Sequence, residues 1–250
     1  MNNFVVIQNS VTNLATPNNP AKLQLLEGLL EAKAVSGHDL LSTAFMAAKN
    51  GALDVLELLL DYVFPLNASG SYFCAAELDK KNSKNRSPSH RSRDILEMAV
   101  IGGHLEVVKF LLQEEQWYQK EQGDNKPLFD KKIALVEAAN RGDAEIVSVI
   151  LSNARSRVDL LNPGDALCEA AYRGHAGVVQ SLLEYKKIIS RSDMNDACLC
   201  ARAQGHLEAY ECLLSAGARP VQSPQRAVGG NTCINNLGRP QALPLTPPNS

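Results

Sequence analysis

The chain has 250 residues, of which 45% are hydrophobic and 21% are charged, so it is long and apolar enough to bury the core of one or two domains. Its 25 basic and 27 acidic side chains give a formal net charge of −2, which argues against a generic binder of nucleic acids or of membrane surfaces. The N-terminal residues MNNFVVIQNS lack the basic and apolar regions of a signal peptide, and no run approaches the roughly 20 apolar residues that span a bilayer, so we expect no membrane insertion.

The first predicted element is an amphipathic helix within LQLLEGLLEAKAV, residues 23–35. We expect it to begin near Asn19-Pro20, because proline is well suited to the first turn of a helix. Its segment LLEGLLE parallels VLELLLD at 55–61. We therefore interpret this helix as the second helix of an N-terminal capping half-repeat, within residues 1–40.

Five helix–glycine–helix segments follow, centred on Gly51, Gly103, Gly142, Gly174 and Gly205. They read AAKNGALDVLELLL, AVIGGHLEVVKFLL, AANRGDAEIVSVIL, AAYRGHAGVVQSLL and ARAQGHLEAYECLL. Small residues before the glycine let one helix approach its neighbour closely, and a glycine in the left-handed conformation ends that helix. The next helix carries an apolar stripe that one helix cannot bury alone. In the second segment the stripe is Leu105, Val108, Leu111 and Leu112.

This pattern resembles the ankyrin repeat, whose units begin with T-P-L-H, continue with a pair of alanines and end with G-H-x-E-V-V-x-L-L-L. The closest match is Gly103-His104-Leu105-Glu106-Val107-Val108, and LLSAGAR at 213–219 resembles the end of a repeat. The resemblance covers about residues 40–220 and implies an all-α fold, an ankyrin-repeat solenoid of about five helix–turn–helix repeats plus the N-terminal capping half-repeat. We place the repeats, within residues 41–220, at 41–64, 94–116, 133–154, 165–187 and 196–219.

No repeat keeps the T-P-L-H start of the family. The residues at the first of these four positions are Ser42, Asp94, Ile133, Asp165 and Asp196. All except Ile133 are good N-cap residues, so we expect a helix to begin after each of them. The loss of proline and histidine weakens the usual turn and its hydrogen-bond network.

The first two glycine spacings exceed the ankyrin period of about 33 residues, which predicts insertions at about 65–93 and 117–132. The basic stretch 80–93 of the first insertion is either a solvated loop or a docking patch for an acidic partner. In the second insertion, Trp117 and Tyr118 either extend the preceding helix and pack on their own repeat, or act as exposed binding anchors. Residues 221–250 are rich in proline, glycine and asparagine, and we expect a flexible tail there.

The sequence offers little support for catalysis, a cofactor or a metal site. The resemblance implies a structural role for His104, His175 and His206, which follow repeat glycines. Six scattered cysteines lie mostly within apolar helical patterns and lack the spacing of a zinc site, so we expect reduced thiols in a cytoplasmic protein. No glycine-rich phosphate-binding motif is present. Cys74 is the best candidate nucleophile for the alternative in which the insertions build an enzyme site.

The repeat register places the candidate binding residues on the exposed, concave side of the first helices. They are Lys49, Asn50, Glu137, Asn140, Arg141, Glu169, Tyr172, Arg173 and Gln204, to which we add Trp117 of the second insertion. Tyrosine and arginine are enriched at binding hot spots, but the same side chains are equally suited to form intramolecular ion pairs of little energetic value. Arg202 replaces the second alanine of the fifth repeat, so we expect it to face solvent or the tail.

These features predict a non-enzymatic, monomeric scaffold that binds another protein, without specific nucleic-acid binding. The missing T-P-L-H and the irregular insertions are similar to ankyrin effectors that intracellular bacteria deliver into host cells, an analogy that rests on no motif. It implies a cytoplasmic protein that reaches the host cytosol by secretion without a cleaved signal peptide. The alternatives are thiol chemistry at Cys74 and binding of an anionic ligand by the 80–93 stretch.

Overall fold

The computed structural model describes residues 14–32, 37–63, 94–122, 128–153, 163–185 and 187–219. They form eleven α-helices in two compact units, residues 1–161 and 162–250. The helices of unit 1 are α1 (Pro20–Glu31), α2 (Gly37–Asn50), α3 (Leu53–Val63), α4 (Ile95–Gly102), α5 (Leu105–Gln122), α6 (Lys131–Arg141) and α7 (Ala144–Asn153). The helices of unit 2 are α8 (Gly164–Arg173), α9 (Ala176–Glu184), α10 (Arg191–Gln204) and α11 (Leu207–Ser215). The predicted all-α fold is confirmed.

Within each unit, helix pairs stack as the repeat pattern predicts. In unit 1 the first helices α2, α4 and α6 lie side by side, and the second helices pack as α1 on α3 and α5 on α7. In unit 2, α8 packs on α10 and α9 packs on α11. Each first helix also packs on the second helix of its own repeat, as in other stacked repeats. None of the described helices is long and apolar enough to cross a membrane.

The repeat glycines end the first helices in the predicted way. Gly51, Gly103, Gly142, Gly174 and Gly205 have φ values of 74°, 75°, 83°, 78° and 78°. In the second repeat, the Gly103 N–H donates to the carbonyl of Val100 and the His104 N–H donates to that of Ala99. Only glycine adopts this left-handed backbone without strain, so the glycine fixes where the turn occurs.

The predicted apolar stripe of the second repeat is confirmed except at its first residue. Val108, Leu111 and Leu112 are buried, whereas Leu105 is half-exposed. Leu105 is the first residue of α5 and therefore lies at the end of the packed stripe. Val107, which the stripe did not include, is also buried.

The N-terminal helix begins where the sequence predicts. The side chain of Asn19 caps α1 by accepting a hydrogen bond from the Lys22 N–H, and Pro20 occupies its first turn. The helix packs on α3, the second helix of the first repeat, which is the position expected of a capping half-repeat. It ends at Glu31 rather than at 35, and residues 33–36 lie outside the described residues.

Of the four predicted N-caps, only Asp94 is one: it accepts a hydrogen bond from the Glu97 N–H at 2.6 Å. Ser42, Asp165 and Asp196 lie inside α2, α8 and α10, so these three predictions are wrong. The three helices begin earlier, at Gly37, Gly164 and Arg191. For α10, Ser190 supplies the cap instead.

The remaining first helix starts differently as well. Asp130 caps α6 by accepting from the Ile133 N–H at 3.1 Å, three residues ahead of the position expected from the repeat register. Pro163 is the N-cap residue of α8 and makes no side-chain capping bond. Three of the four described N-caps of first helices therefore use a side-chain oxygen, but at positions that differ between the repeats.

Candidate functional site

The candidate residues of α2 divide into an exposed side chain and a structural one. The side chain of Lys49 is exposed, while its carbonyl accepts a hydrogen bond from Nε2 of His104 at 2.9 Å. Nδ2 of Asn50 donates to the carbonyl of Ala15 at 2.8 Å and so holds the segment that precedes α1. Only Lys49 offers a side chain to a partner here.

The candidates of α6 make contacts within unit 1. Nη1 of Arg141 donates to the carbonyl of Ile101 at 2.7 Å, and its Nε donates to Oδ2 of Asp143 at 2.8 Å. Glu137 and Asn140 are half-buried, with Nδ2 of Asn140 at 3.5 Å from both carboxylate oxygens of Glu137. The alternative interpretation, that these side chains serve intramolecular contacts, applies to Arg141.

Arg141 does in the third repeat what His104 does in the second. Lys49 and Ile101 each lie two residues before a repeat glycine, and each carbonyl receives a donor from the following repeat. The third repeat has Asp143 where the second has His104, so the donor comes from Arg141 on the other side of the glycine, with Asp143 holding its Nε.

Each of these donors lies directly over the preceding glycine. A Cβ on Gly51 would come within 2.6 Å of Nδ1 of His104, and one on Gly103 within 2.5 Å of Nη2 of Arg141. In unit 2, a Cβ on Gly174 would come within 2.5 Å of Nδ1 of His206. The structural role expected of His104 is thus confirmed by its hydrogen bond, and His206 occupies the equivalent place.

A buried ion pair in unit 1 is absent from the sequence-based predictions. Nζ of Lys131 lies 2.7 Å from Oε2 of Glu115, and the two side chains are 4% and 0% exposed. Lys131 and Glu115 form an ion pair, but the angle between Nζ and Oε2 is not that of a hydrogen bond. The other carboxylate oxygen of Glu115, Oε1, accepts a hydrogen bond from the Leu128 N–H at 2.8 Å. Glu115 is therefore buried although it lies in a stretch of the sequence rich in charged and polar residues.

The helical period contains the signal that locates Glu115. Val107, Leu111 and Glu115 follow one another at i+4, so the carboxylate continues the buried stripe of α5, and Gln119 is buried one turn later. A charge on such a stripe needs a buried counter-charge, because desolvating it alone is costly. Lys131 supplies that charge from the first turn of α6.

Asp94 joins the starts of two neighbouring first helices. Besides capping α4, its Oδ2 accepts the backbone N–H of Asp130, the N-cap residue of α6, at 2.7 Å. The pKa of Asp94 is raised from 3.8 to about 6, chiefly by burial and also by the nearby carboxylates of Asp130 and Glu115, against the lowering effect of the two N–H bonds. The Asp94 carboxylate therefore supplies hydrogen bonds at the repeat starts, where the T-P-L-H residues are missing.

Unit 2 uses a buried carboxylate in a comparable place. Oδ2 of Asp193 accepts from Oγ of Ser190 at 2.8 Å, and the Asp193 N–H donates back to Oγ at 3.1 Å. The carboxylate lies against Gly164 at the start of α8, where an added Cβ would collide with it. The first-helix starts of α8 and α10 are therefore held together through Asp193.

The helix α5 extends into the predicted second insertion as far as Gln122. Trp117 lies on this extension with 59% of its side chain exposed, so the interpretation that it packs on its own repeat is wrong. Glu115 and Gln119 occupy the buried side of the same two turns, which leaves Trp117 on the opposite side. The side chain of Tyr118 lies outside the described residues.

The candidates of unit 2 lie in the C-terminal halves of the first helices α8 and α10. Nε of Arg173 donates to Oε1 of Glu169 at 2.8 Å, an ion pair whose side chains are 46% and 25% exposed. Tyr172 is half-exposed between them in the sequence, and Gln204 is exposed at the end of α10. Arg202 is also exposed, as the sequence predicts.

Three of the four described cysteines belong to the core, while Cys212 is half-exposed. Cys168, Cys198 and Cys200 are buried, and burial raises the pKa of the Cys198 thiol against the opposing effect of Arg202. A raised pKa disfavours the thiolate, which is the reactive form. Across the described ranges, no group of three or more His, Cys, Asp and Glu side chains is arranged to hold a metal ion.

Three predictions lie outside the described residues. They concern the thiol of Cys74, the basic stretch 80–93 and the tail 221–250.

A family model described as ankyrin repeats, in three copies, matches residues 44–160 and 135–223. No curated protein shows significant similarity to the chain. The two matches together cover residues 44–223 of the 250, well over half of the sequence, and include all five glycine turns. Since the helix pairs of each unit also stack as such repeats do, the chain belongs to the ankyrin-repeat family.

Proposed function

We propose that this ankyrin-repeat protein is a non-enzymatic scaffold that binds a partner protein through exposed side chains of its first helices and of the C-terminal extension of α5. Ankyrin repeats are protein–protein interaction modules, and the family is in general non-enzymatic. The observation that carries the finer assignment is the contrast along α8. Its alanines and Leu167 are buried, while Tyr172 and Arg173 remain available on the other side.

The surface of unit 2 is defined by Glu169, Tyr172, Arg173 and Gln204. The Arg173–Glu169 pair is exposed enough that it stabilises the fold little, so binding a partner can replace it at small cost. Tyrosine and arginine are also the residue types that most often dominate binding energy. We therefore assign the main contact in unit 2 to Tyr172 and Arg173.

In unit 1 we assign contacts to Lys49 and Trp117 instead of Arg141. Arg141 already donates to Ile101 and Asp143. Trp117 is a large exposed aromatic side chain on a helix that the buried Glu115–Lys131 pair anchors. Tryptophan is also among the residue types enriched at binding hot spots.

By analogy with the ankyrin effectors of intracellular bacteria, we propose that the partner is a protein of the host cytosol. The test is affinity capture from a eukaryotic lysate and, in parallel, from a bacterial lysate, with quantitative mass spectrometry of the bound proteins. The double variant Tyr172→Ala, Arg173→Glu is compared with the unchanged chain.

A matched control is available in the same unit. Tyr185→Ala, Lys187→Glu removes the same aromatic group and reverses one charge at half-exposed and exposed positions beyond α9. We expect a partner to be captured by the unchanged chain and by the control, but not by the Tyr172–Arg173 variant. Equal capture by all three would contradict the assignment to α8 and leave Lys49 and Trp117 as the surface to test.

A further inference from the structure

One face of α11 in unit 2 carries exposed apolar side chains. Leu207, Tyr210 and Leu214 follow the i, i+3, i+7 spacing of a single helical face, and Leu207 and Leu214 are 72% and 39% exposed. Tyr210 is half-exposed. On the neighbouring face of the same helix, Ala209 and Leu213 are buried, so the exposure belongs to one side only.

The equivalent face is covered elsewhere in the molecule. In α5, the corresponding residues include Val108 and Leu112, which are buried where α7 packs on α5. In α9, Val179 is buried where α11 packs, and Nε2 of Gln180 donates to Sγ of Cys212 at the edge of this contact. The face of α11 is thus a stacking surface, and no helix among the described residues covers it.

The charges beside this face are unusual for a repeat. Arg202 is exposed at the position where the other four repeats have buried small or aliphatic residues. Those residues are Ala48, Val100, Ala139 and Ala171. Glu208 and Glu211 are exposed on α11. A cation and two carboxylates therefore flank one apolar stripe.

We infer that this face of α11 pairs with the same face of a second copy of the chain. An isologous contact needs an apolar stripe that fits itself, with each charge and its complement on the same surface. In an antiparallel pair of α11 helices with a two-fold axis near Tyr210, Leu207 of one copy lies opposite Leu214 of the other. Arg202, near the start of α11, then lies beside the C-terminal half of the other α11, which carries Glu211 and the negative end of the helix dipole.

The path of the chain after α11 favours this occupant over the segment that follows. The Arg219 N–H donates to Oδ1 of Asn195 at 2.7 Å, so the chain leaves at the N-terminal end of α10. Since α10 ends at Gln204 and α11 begins at Leu207, Leu207 lies at the opposite end of this helix pair. The stripe is small, so we expect a weak contact between the copies.

The test is sedimentation analysis and light scattering of the full chain from about 10 to about 500 μM, the range in which small interfaces associate. We expect the average mass to rise from 27.1 kDa toward twice that value. Leu214→Glu is expected to keep the chain monomeric throughout. Arg202→Glu and Glu211→Arg are each expected to weaken association about tenfold.

The charge-swapped double variant Arg202→Glu, Glu211→Arg separates pairing from a change in folding. We expect it to restore association, because the two charges meet across the two-fold axis, while Lys109→Glu in unit 1 leaves association unchanged. A chain that stays monomeric at every concentration overturns the inference, whether residues 220–250 or another protein cover the face. Association that persists in Leu214→Glu overturns it as well.

Discussion

The first helices begin in different ways but all end at the same kind of glycine turn. All five turns have the same left-handed glycine, and in three of them a side chain of the next repeat lies over it. The starts differ from helix to helix: Asp94 and Asp130 cap α4 and α6, Ser190 caps α10, and the N-cap residue of α8 is a proline.

This difference shows which part of a repeat is determined by its own local sequence and which part depends on contacts elsewhere. A turn is fixed by the backbone conformation of one glycine, so it persists when the flanking residues change. A start without T-P-L-H depends on which side chains are nearby: Asp94 joins the starts of α4 and α6, and Asp193 lies against the start of α8. We therefore expect substitutions at the starts to have large effects that depend on the buried charges, and substitutions at the turns to have effects that depend on what lies over the glycine.

The largest effect is expected at the Glu115–Lys131 pair. Lys131→Met leaves the Glu115 carboxylate buried without a counter-charge, which is expected to lower the free energy of unfolding by about 3–5 kcal/mol. Lys109→Met removes the exposed partner of Glu106 from the same unit and is expected to cost less than about 0.5 kcal/mol. Urea unfolding of both variants checks the contrast, and equal costs would show that the buried pair does not hold the start of α6.

The second effect depends on pH. The pKa of Asp94 is raised from 3.8 to about 6, so the folded state binds the proton more tightly than the unfolded state does. The resulting stabilisation is fully present below pH 3.8 and is lost as the pH rises through 6. It amounts to about 3 kcal/mol at 1.36 kcal/mol per pKa unit.

Asp94→Asn removes this titration and keeps an oxygen for the Glu97 N–H. We expect the difference in unfolding free energy between the unchanged chain and the variant to shift by up to about 3 kcal/mol between pH 4 and pH 7.5, to the disadvantage of the unchanged chain at the higher pH. Urea unfolding at both values measures it. A difference independent of pH would mean that Asp94 titrates as an ordinary aspartate.

The third effect compares two glycines of unit 2 with the same φ of 78°. Gly174→Ala brings a Cβ against His206, whereas no atom lies within 4 Å of a Cβ on Gly205. Both variants incur the cost of a left-handed alanine, about 1 kcal/mol. We expect Gly174→Ala to cost about 1–2 kcal/mol more than Gly205→Ala by urea unfolding. Equal costs would show that His206 yields freely and does not constrain the turn.

The smallest effect separates two arginines at equivalent positions before a repeat glycine. Arg141→Ala removes the hydrogen bond to the Ile101 carbonyl and is expected to cost about 1 kcal/mol. Arg173→Ala breaks an exposed pair within α8 and is expected to cost less than about 0.5 kcal/mol. Thermal unfolding of both variants measures the order. The reverse order would make Arg173 the structural residue and Arg141 the one free to bind.

The sequence predicts features that one segment determines by itself. The start of α1 at Pro20 and the turns at Gly103 and Gly174 depend on local backbone preferences, and all three are correct. The burial of Glu115 could also be predicted, because Glu115 continues an i+4 stripe from Val107 and Leu111. Its charge by itself would indicate an exposed side chain, so the position on the helix is the more informative signal.

Other features depend on where the chain returns after an insertion. The contact between Asp94 and Asp130 joins residues 36 positions apart on either side of the second repeat, and no periodicity indicates it. The role of Arg141 has the same origin. The third repeat has Asp143 where the second has a histidine donor, and only the structure shows that Arg141, on the other side of the glycine, donates instead. Tertiary contacts of this kind decided between the binding and the structural interpretation.

In the proposed function, the turn residues hold the repeats together while Tyr172 and Arg173 bind the partner. The most direct test is calorimetric titration of the captured partner with the Tyr172→Ala, Arg173→Glu variant and with the Tyr185→Ala, Lys187→Glu control, both first shown to be folded by circular dichroism. We predict that the first variant raises the dissociation constant by about 100-fold or more, and that the control raises it by less than about threefold. An unchanged dissociation constant in the first variant, or an equal loss in both, would contradict the claim.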